Sequence, residues 1–161
     1  MRIVFFGTPE AAVPYVGAIA ESGHEIAAVV TQPDRPAGRG RKSRPSAVKG
    51  AALEMGLPVL APESAAYGEF IAQVEELAPE VGVVVAYGQI LKPALLAVPS
   101  VAFVNVHYSL LPLLRGAAPV YGALRQGFTE TGVTVQHLAK KMDAGDIIVR
   151  RTLAILPEDN R

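Results

Sequence analysis

The chain has 161 residues, of which 50% are hydrophobic and 19% charged, enough for one domain with a sizeable core and too apolar for intrinsic disorder. Fifteen Lys and Arg balance fifteen Asp and Glu, which excludes a globally basic nucleic-acid binder. The absence of Cys excludes a disulfide framework, a thiolate zinc site and a cysteine nucleophile, and fits a cytoplasmic protein.

Ile3-Val4-Phe5-Phe6, closed by Gly7, reads as a buried strand. The four apolar residues of this run are too few for a signal-peptide core. Val13, Val16, Ile19 and Ala20 recur at helical spacing, and Gly23 is the stop. Residues 26–30 form a second buried strand, and a polar loop rich in Pro and Gly fills 31–45. Ser46 caps a helix over 47–55, with Gly56 behind it. Residues 58–60 are a short strand and 70–77 an amphipathic helix. Residues 81–86 are the strongest strand, β-branched and uncharged. The apolar stretch from Val81 to Tyr87 is the longest in the chain, far short of the ~20 residues that span a bilayer. Residues 103–107 are a strand, 119–126 a helix closed by Gly127, and 133–138 and 147–155 two further strands.

Alternating strands and helices predict an α/β fold, Rossmann-like, with a largely parallel twisted sheet flanked by helices. The uncharged strands fit a sheet covered on both faces. Loops beginning near Gly7, Thr31, Tyr87 and His107 then fall at one edge, where ligands bind in such sheets. The last two strands are expected to pair antiparallel across the short connection that holds Gly145. The polar ending Leu156-Pro157-Glu158-Asp159-Asn160 is where a linker to further structure would start.

Gly7-Thr8-Pro9-Glu10 lacks the G-x-G-x-x-G fingerprint and is either an ordinary turn or the mouth of a ligand site. Residues 31–49 carry Arg35, Arg39, Arg41, Lys42, Arg44 and Lys49 against Asp34, a net +5 that the rest of the chain offsets. With Gly38 and Gly40 this loop suits phosphate contacts, or is a solvated basic loop; it has no aromatic side chain for base stacking. Alternation puts Asn105 and His107 on one side of their strand. There the pair can stabilise an oxyanion and move a proton, or is a core pair satisfied by backbone groups. Asp143, in the turn Met142-Asp143-Ala144-Gly145-Asp146, is a histidine-orienting carboxylate or plain turn chemistry. His24, His107 and His137 have no carboxylate at metal-ligand spacing, and no G-x-S-x-G elbow is present.

Asn105-Val106-His107-x-Ser109-Leu110-Leu111-Pro112-x-x-Arg115-Gly116 resembles the signature of the 10-formyltetrahydrofolate-dependent formyltransferases. Asp143-Ala144-Gly145-Asp146 falls where that family carries its essential Asp, and Val84-Val85-Ala86-Tyr87-Gly88-Gln89-Ile90-Leu91 resembles its folate-site loop. The resemblance runs through the whole chain. It implies catalytic roles for Asn105, His107 and Asp143. It implies folate contacts from residues 86–91 and from Ser109, Leu110, Leu111 and Pro112, with 10-formyltetrahydrofolate as formyl donor and no metal.

Phe6-Gly7-Thr8-Pro9-Glu10 and the stretch from Thr31 through Arg35 to Lys49 are similar to the family members whose acceptor is the α-amine of initiator methionyl-tRNA. There the basic loop, with Arg39, Arg41, Lys42 and Arg44, engages the tRNA. An amino-sugar nucleotide as acceptor, or a folate-binding module without turnover, are the alternatives. Tyr108, Leu113 and Leu114 depart from the family pattern, which has a small residue or Pro, a basic residue and an aromatic there. Residues 1–161 are expected to be the catalytic domain, monomeric and without membrane contact, with the family's C-terminal β-rich tRNA-binding domain absent from this chain.

Overall fold

The computed structural model describes residues 1–37 and 42–160. In chain order the elements are β1 (Arg2–Gly7), α1 (Val13–Glu21), β2 (Glu25–Val30), β3 (Arg35–Ala37), β4 (Lys42–Arg44), α2 (Ala47–Glu54), β5 (Val59–Leu60), α3 (Gly68–Glu76), β6 (Val81–Val85), α4 (Pro93–Leu96), β7 (Ala102–His107), α5 (Pro119–Arg125), β8 (Glu130–His137) and β9 (Ile147–Ala154). Seven strands hydrogen-bond in the order β5-β2-β1-β6-β7-β8-β9, a mostly parallel sheet with flanking helices, as the sequence predicts. The chain divides into two compact units, Met1–Phe103 and Val104–Arg161, so β7 contributes residues to both.

In the first unit β1 pairs parallel with β2 and with β6, and β2 pairs parallel with β5. Ile3, Val4, Phe5 and Phe6 are all buried, as are Val29 and Val30, because a parallel strand covered on both faces has no solvent side. The Phe6 ring meets Phe70, Tyr87 and Phe103 edge-on, with centroids 6.5, 5.4 and 5.4 Å away. Such aromatic pairs contribute about 1 kcal/mol each beyond their buried area. Gly82 leaves room for the Phe103 ring: a Cβ there would lie 2.0 Å from a ring carbon. The Ser46 hydroxyl accepts from the Lys49 backbone N–H at 3.0 Å, so it caps α2 as predicted.

Three features of this unit differ from the sequence reading. The expected loop over 31–45 contains an antiparallel ribbon, β3 paired with β4. Arg-Pro-Ala opposite Lys-Ser-Arg has no apolar alternation, so nothing in its pattern marks a strand. α3 begins at Gly68, two residues before the expected start, and α4 is a single turn opened by Pro93. One turn is too short to show a helical period.

In the second unit β8 pairs antiparallel with β7 and with β9. The β8–β9 pairing is the expected one; the sequence reading assigned no direction to the β7–β8 pair, which is antiparallel. Strand, helix, strand reads as a parallel crossover, but strand direction leaves no mark on hydrophobic period. Along β8, Gly132, Thr134 and Gln136 are buried, whereas Val133 and Val135 are only half-buried. β9 is exposed along its whole length. Among the described residues, no helix is long and apolar enough to cross a membrane.

Candidate active site

β7 ends in the polar residues that the sequence singles out. His107 is 6% exposed and its Nε2 lies 2.9 Å from the Leu114 carbonyl. A carbonyl only accepts, so Nε2 carries the proton. Nδ1 on the other side of the ring is 3.7 Å from Asp143 Oδ1, an ion-pair distance longer than a hydrogen bond. Asp143 is fixed by other groups: Oδ2 accepts from the Gly116 backbone N–H at 2.8 Å, and Oδ1 accepts from Gln136 Nε2 at 3.2 Å.

The turn over 114–116 is therefore pinned twice, at Leu114 by His107 and at Gly116 by Asp143. Leu114 and Asp143 adopt left-handed φ values of 54° and 48°. For side chains other than Gly such backbone costs on the order of 1 kcal/mol or more, and it persists where surrounding bonds over-determine it. Gly116, at φ 105°, takes a conformation that a side chain would oppose. Asn105 pairs across the ladder with Gln136, and His107 with Thr134. Directly opposed residues share a sheet face, so β7 and β8 present Asn105, His107, Thr134 and Gln136 together.

Ser109 and Leu111 are buried and Leu110 half-buried, and the Leu111–Pro112 peptide is cis. Ser109 donates to the Leu113 carbonyl at 2.7 Å. The buried Thr134 hydroxyl donates to the Ser109 carbonyl at 2.6 Å and accepts from the Leu111 N–H at 3.1 Å. Arg150 Nη1 donates to the Leu111 carbonyl at 3.0 Å. Of the departing residues, Tyr108 and Leu114 are half-buried, while Leu113 is exposed. Sequence reasoning missed Gln136, Thr134 and Arg150. The available signal was the polar alternation of β8, which ordinarily marks a solvent face and here marks the buried one.

In the first unit, residues 86–91 follow β6. Ala86, at φ 48°, and Gly88, at φ 92°, are exposed, as is Ile90, while Gln89 and Leu91 are half-buried. Tyr87 is 1% exposed, and burial pushes its phenol up to about 12. Its carbonyl accepts from the Thr8 hydroxyl at 2.7 Å and from Gln32 Nε2 at 3.2 Å. Gln89 Oε1 accepts from the Ala65 N–H at 2.8 Å, and its amide donates to Gln32 Oε1 at 3.3 Å. The loops after β1, β2 and β6 are thus tied to one another, as their common strand direction predicts.

Arg39 and Arg41 lie outside the described residues, as does the side chain of Lys42; Arg44 is exposed. The base of the ribbon is fastened by Thr31 Oγ1 with Ser46 Oγ at 2.7 Å, Lys49 with Asp34 at 2.8 Å and Arg35 with Glu63 at 3.1 Å. Among the described residues, no group of three or more His, Asp or Glu is placed to hold a metal ion.

The fold has close counterparts among solved enzymes. Phosphoribosylglycinamide formyltransferase from Bacillus halodurans superposes with a TM-score of 0.78 at 24% identity, over 99% of this chain and 83% of that one. Glycinamide ribonucleotide transformylase 1 from Geobacillus kaustophilus gives 0.79 at 25%, over 99% and 85%. The fold is thus the one these transferases share. Residues 1–161 match the formyl transferase family, and the chain belongs to it. The chain is 51% identical over 159 residues to methionyl-tRNA formyltransferase of Heliobacterium modesticaldum, covering 99% of this chain and 50% of that protein. Against methionyl-tRNA formyltransferase of Moorella thermoacetica it is 51% identical over 158 residues, covering 98% and 51%. The chain therefore spans about half the length of these relatives.

Proposed function

We propose that this chain carries the transfer of a formyl group from 10-formyltetrahydrofolate to the α-amine of initiator methionyl-tRNA, the step that prepares it for translation initiation in the cytoplasm. The observation that carries this reading is the 51% identity to methionyl-tRNA formyltransferases over nearly the whole chain. The arrangement of His107 beside Asp143 within one unit supports it.

The folate supplies an activated formyl group on a nitrogen that can leave. This chain's residues fit such a donor in two respects. Asn105 shares a face with His107 and can donate to an oxygen that gains negative charge, and His107 Nε2–H joins it on leaving the Leu114 carbonyl. In the first unit Ile90 is 71% exposed beside Ala86 and Gly88, an apolar surface suited to a flat heterocycle. In the reaction the acceptor amine attacks the formyl carbon, the carbon–N10 bond breaks, and a proton passes from the amine to N10. Asn105 and His107 stabilise the developing oxyanion. Asp143 orients His107 and assists the proton transfer, directly or through water. Leu110 and Pro112 face the donor along the end of β7, on a backbone that the buried Ser109 and Leu111 hold in place. Arg39, Arg41, Lys42 and Arg44 contact tRNA phosphates, a charge interaction that reads little sequence and weakens with salt.

Deleting residues 39–44 tests the acceptor. Formylation of methionyl-tRNA by the protein expressed from its complete gene is expected to collapse, while binding of a non-hydrolysable 10-formyltetrahydrofolate analogue stays unchanged. Retained tRNA formylation, or formylation of an amino-sugar nucleotide by the undeleted protein, would overturn the proposed acceptor.

A further inference from the structure

The Asp143 carboxylate needs something besides His107 to hold it. At 3.7 Å the His107–Asp143 contact is too long to fix the carboxylate plane. The Gly116 N–H holds Oδ2 alone, and a carboxylate held by one oxygen swings about that bond. The second oxygen, the one facing His107, is held by Gln136 Nε2.

Gln136 is 1% exposed, and its Oε1 is buried with no partner among the described residues. A Met would fill the same slot without desolvating an amide, so packing alone does not call for Gln here. Only its donor end is used, and that end points to Asp143. The residue also stands directly across the ladder from Asn105, so it faces both sides of the reacting constellation.

We propose that Gln136 is a positioning residue for formyl transfer: its side-chain amide keeps Asp143 turned toward His107. This role rests on the proposed formyl transfer. Loss of an outer hydrogen bond that aims a reacting group typically costs about tenfold to a hundredfold in rate.

The test uses the protein expressed from its complete gene, with single-turnover formyl transfer to methionyl-tRNA and calorimetric binding of a non-hydrolysable 10-formyltetrahydrofolate analogue. Gln136→Met is expected to lower the transfer rate by about tenfold or more, with analogue affinity within about twofold. Added to Asp143→Asn, the same change should lower the residual rate no further, because both act through one carboxylate. A measurement that does not depend on the folding of a Gln136 variant is the Gln136 side-chain amide signal by NMR. In the unsubstituted protein one of its protons should show a carboxylate-bonded shift, and that shift should vanish in Asp143→Asn. Normal transfer by Gln136→Met, an additive loss in the double variant, loss of analogue binding, or an amide signal indifferent to Asp143→Asn would each overturn the role. An unsubstituted protein that transfers no formyl group would overturn the proposed function itself, and this role with it.

Discussion

Tyr87 is a phenol whose hydroxyl is buried and finds no partner among the described residues. Burial disfavours its charged form and pushes its pKa up to about 12, above the value of 10.0 that it has when solvated. The folded chain therefore keeps this proton where the unfolded chain releases it. Stability from this group is complete below pH 10 and is lost as pH rises toward 12, on the order of 3 kcal/mol in all. Urea unfolding at a series of alkaline pH values should show that loss, and Tyr87→Phe should flatten it. Equal slopes for the two chains would contradict the assignment. At this scale the sequence was informative where a side chain sits in a recognisable motif. Asn105, His107 and Asp143 were picked out that way. Gln136 and Thr134 were not, because they alternate with Val133 and Val135, and period-two alternation ordinarily places polar residues in solvent.

Strands buried on both faces announce themselves as uncharged runs, which is why β1, β2 and β6 were legible. The β3–β4 ribbon was illegible because its pairing joins backbones while its side chains follow no apolar pattern. The direction of β8 against β7 was illegible because period carries no sign. Packing between neighbours leaves its own mark, as at Gly82 on β6. A Cβ there would meet ring carbons of Phe103 at 2.0, 2.2 and 2.6 Å, and this ring also packs on Phe6. Gly82→Ala should destabilise the chain by about 1–3 kcal/mol, the usual cost of overpacking a tight core. The denaturant midpoint reads it, and Phe103→Leu in the same chain should return part of the loss. An unchanged midpoint for Gly82→Ala would show that the ring moves aside freely.

Across the whole molecule, neutrality conceals an uneven spread of charge. Residues 31–49 carry a net +5, and the remainder offsets it. In the described part of that segment Arg35 and Lys49 are paired with Glu63 and Asp34, pairs that fasten the ribbon base more than they add to stability. The proposed chemistry lies elsewhere in the chain, on β7 and in the turn that holds Asp143. The family match covers all of residues 1–161, and the relatives are about twice as long. The central claim is that Asn105, His107 and Asp143 perform formyl transfer.

Asn105→Ala tests it most directly, since Asn105 is the donor assigned to the oxyanion and nothing else. Single-turnover formyl transfer should fall by about a hundredfold to a thousandfold, the cost of one lost oxyanion donor, while the 10-formyltetrahydrofolate analogue binds as before. Transfer at the unsubstituted rate would contradict the account.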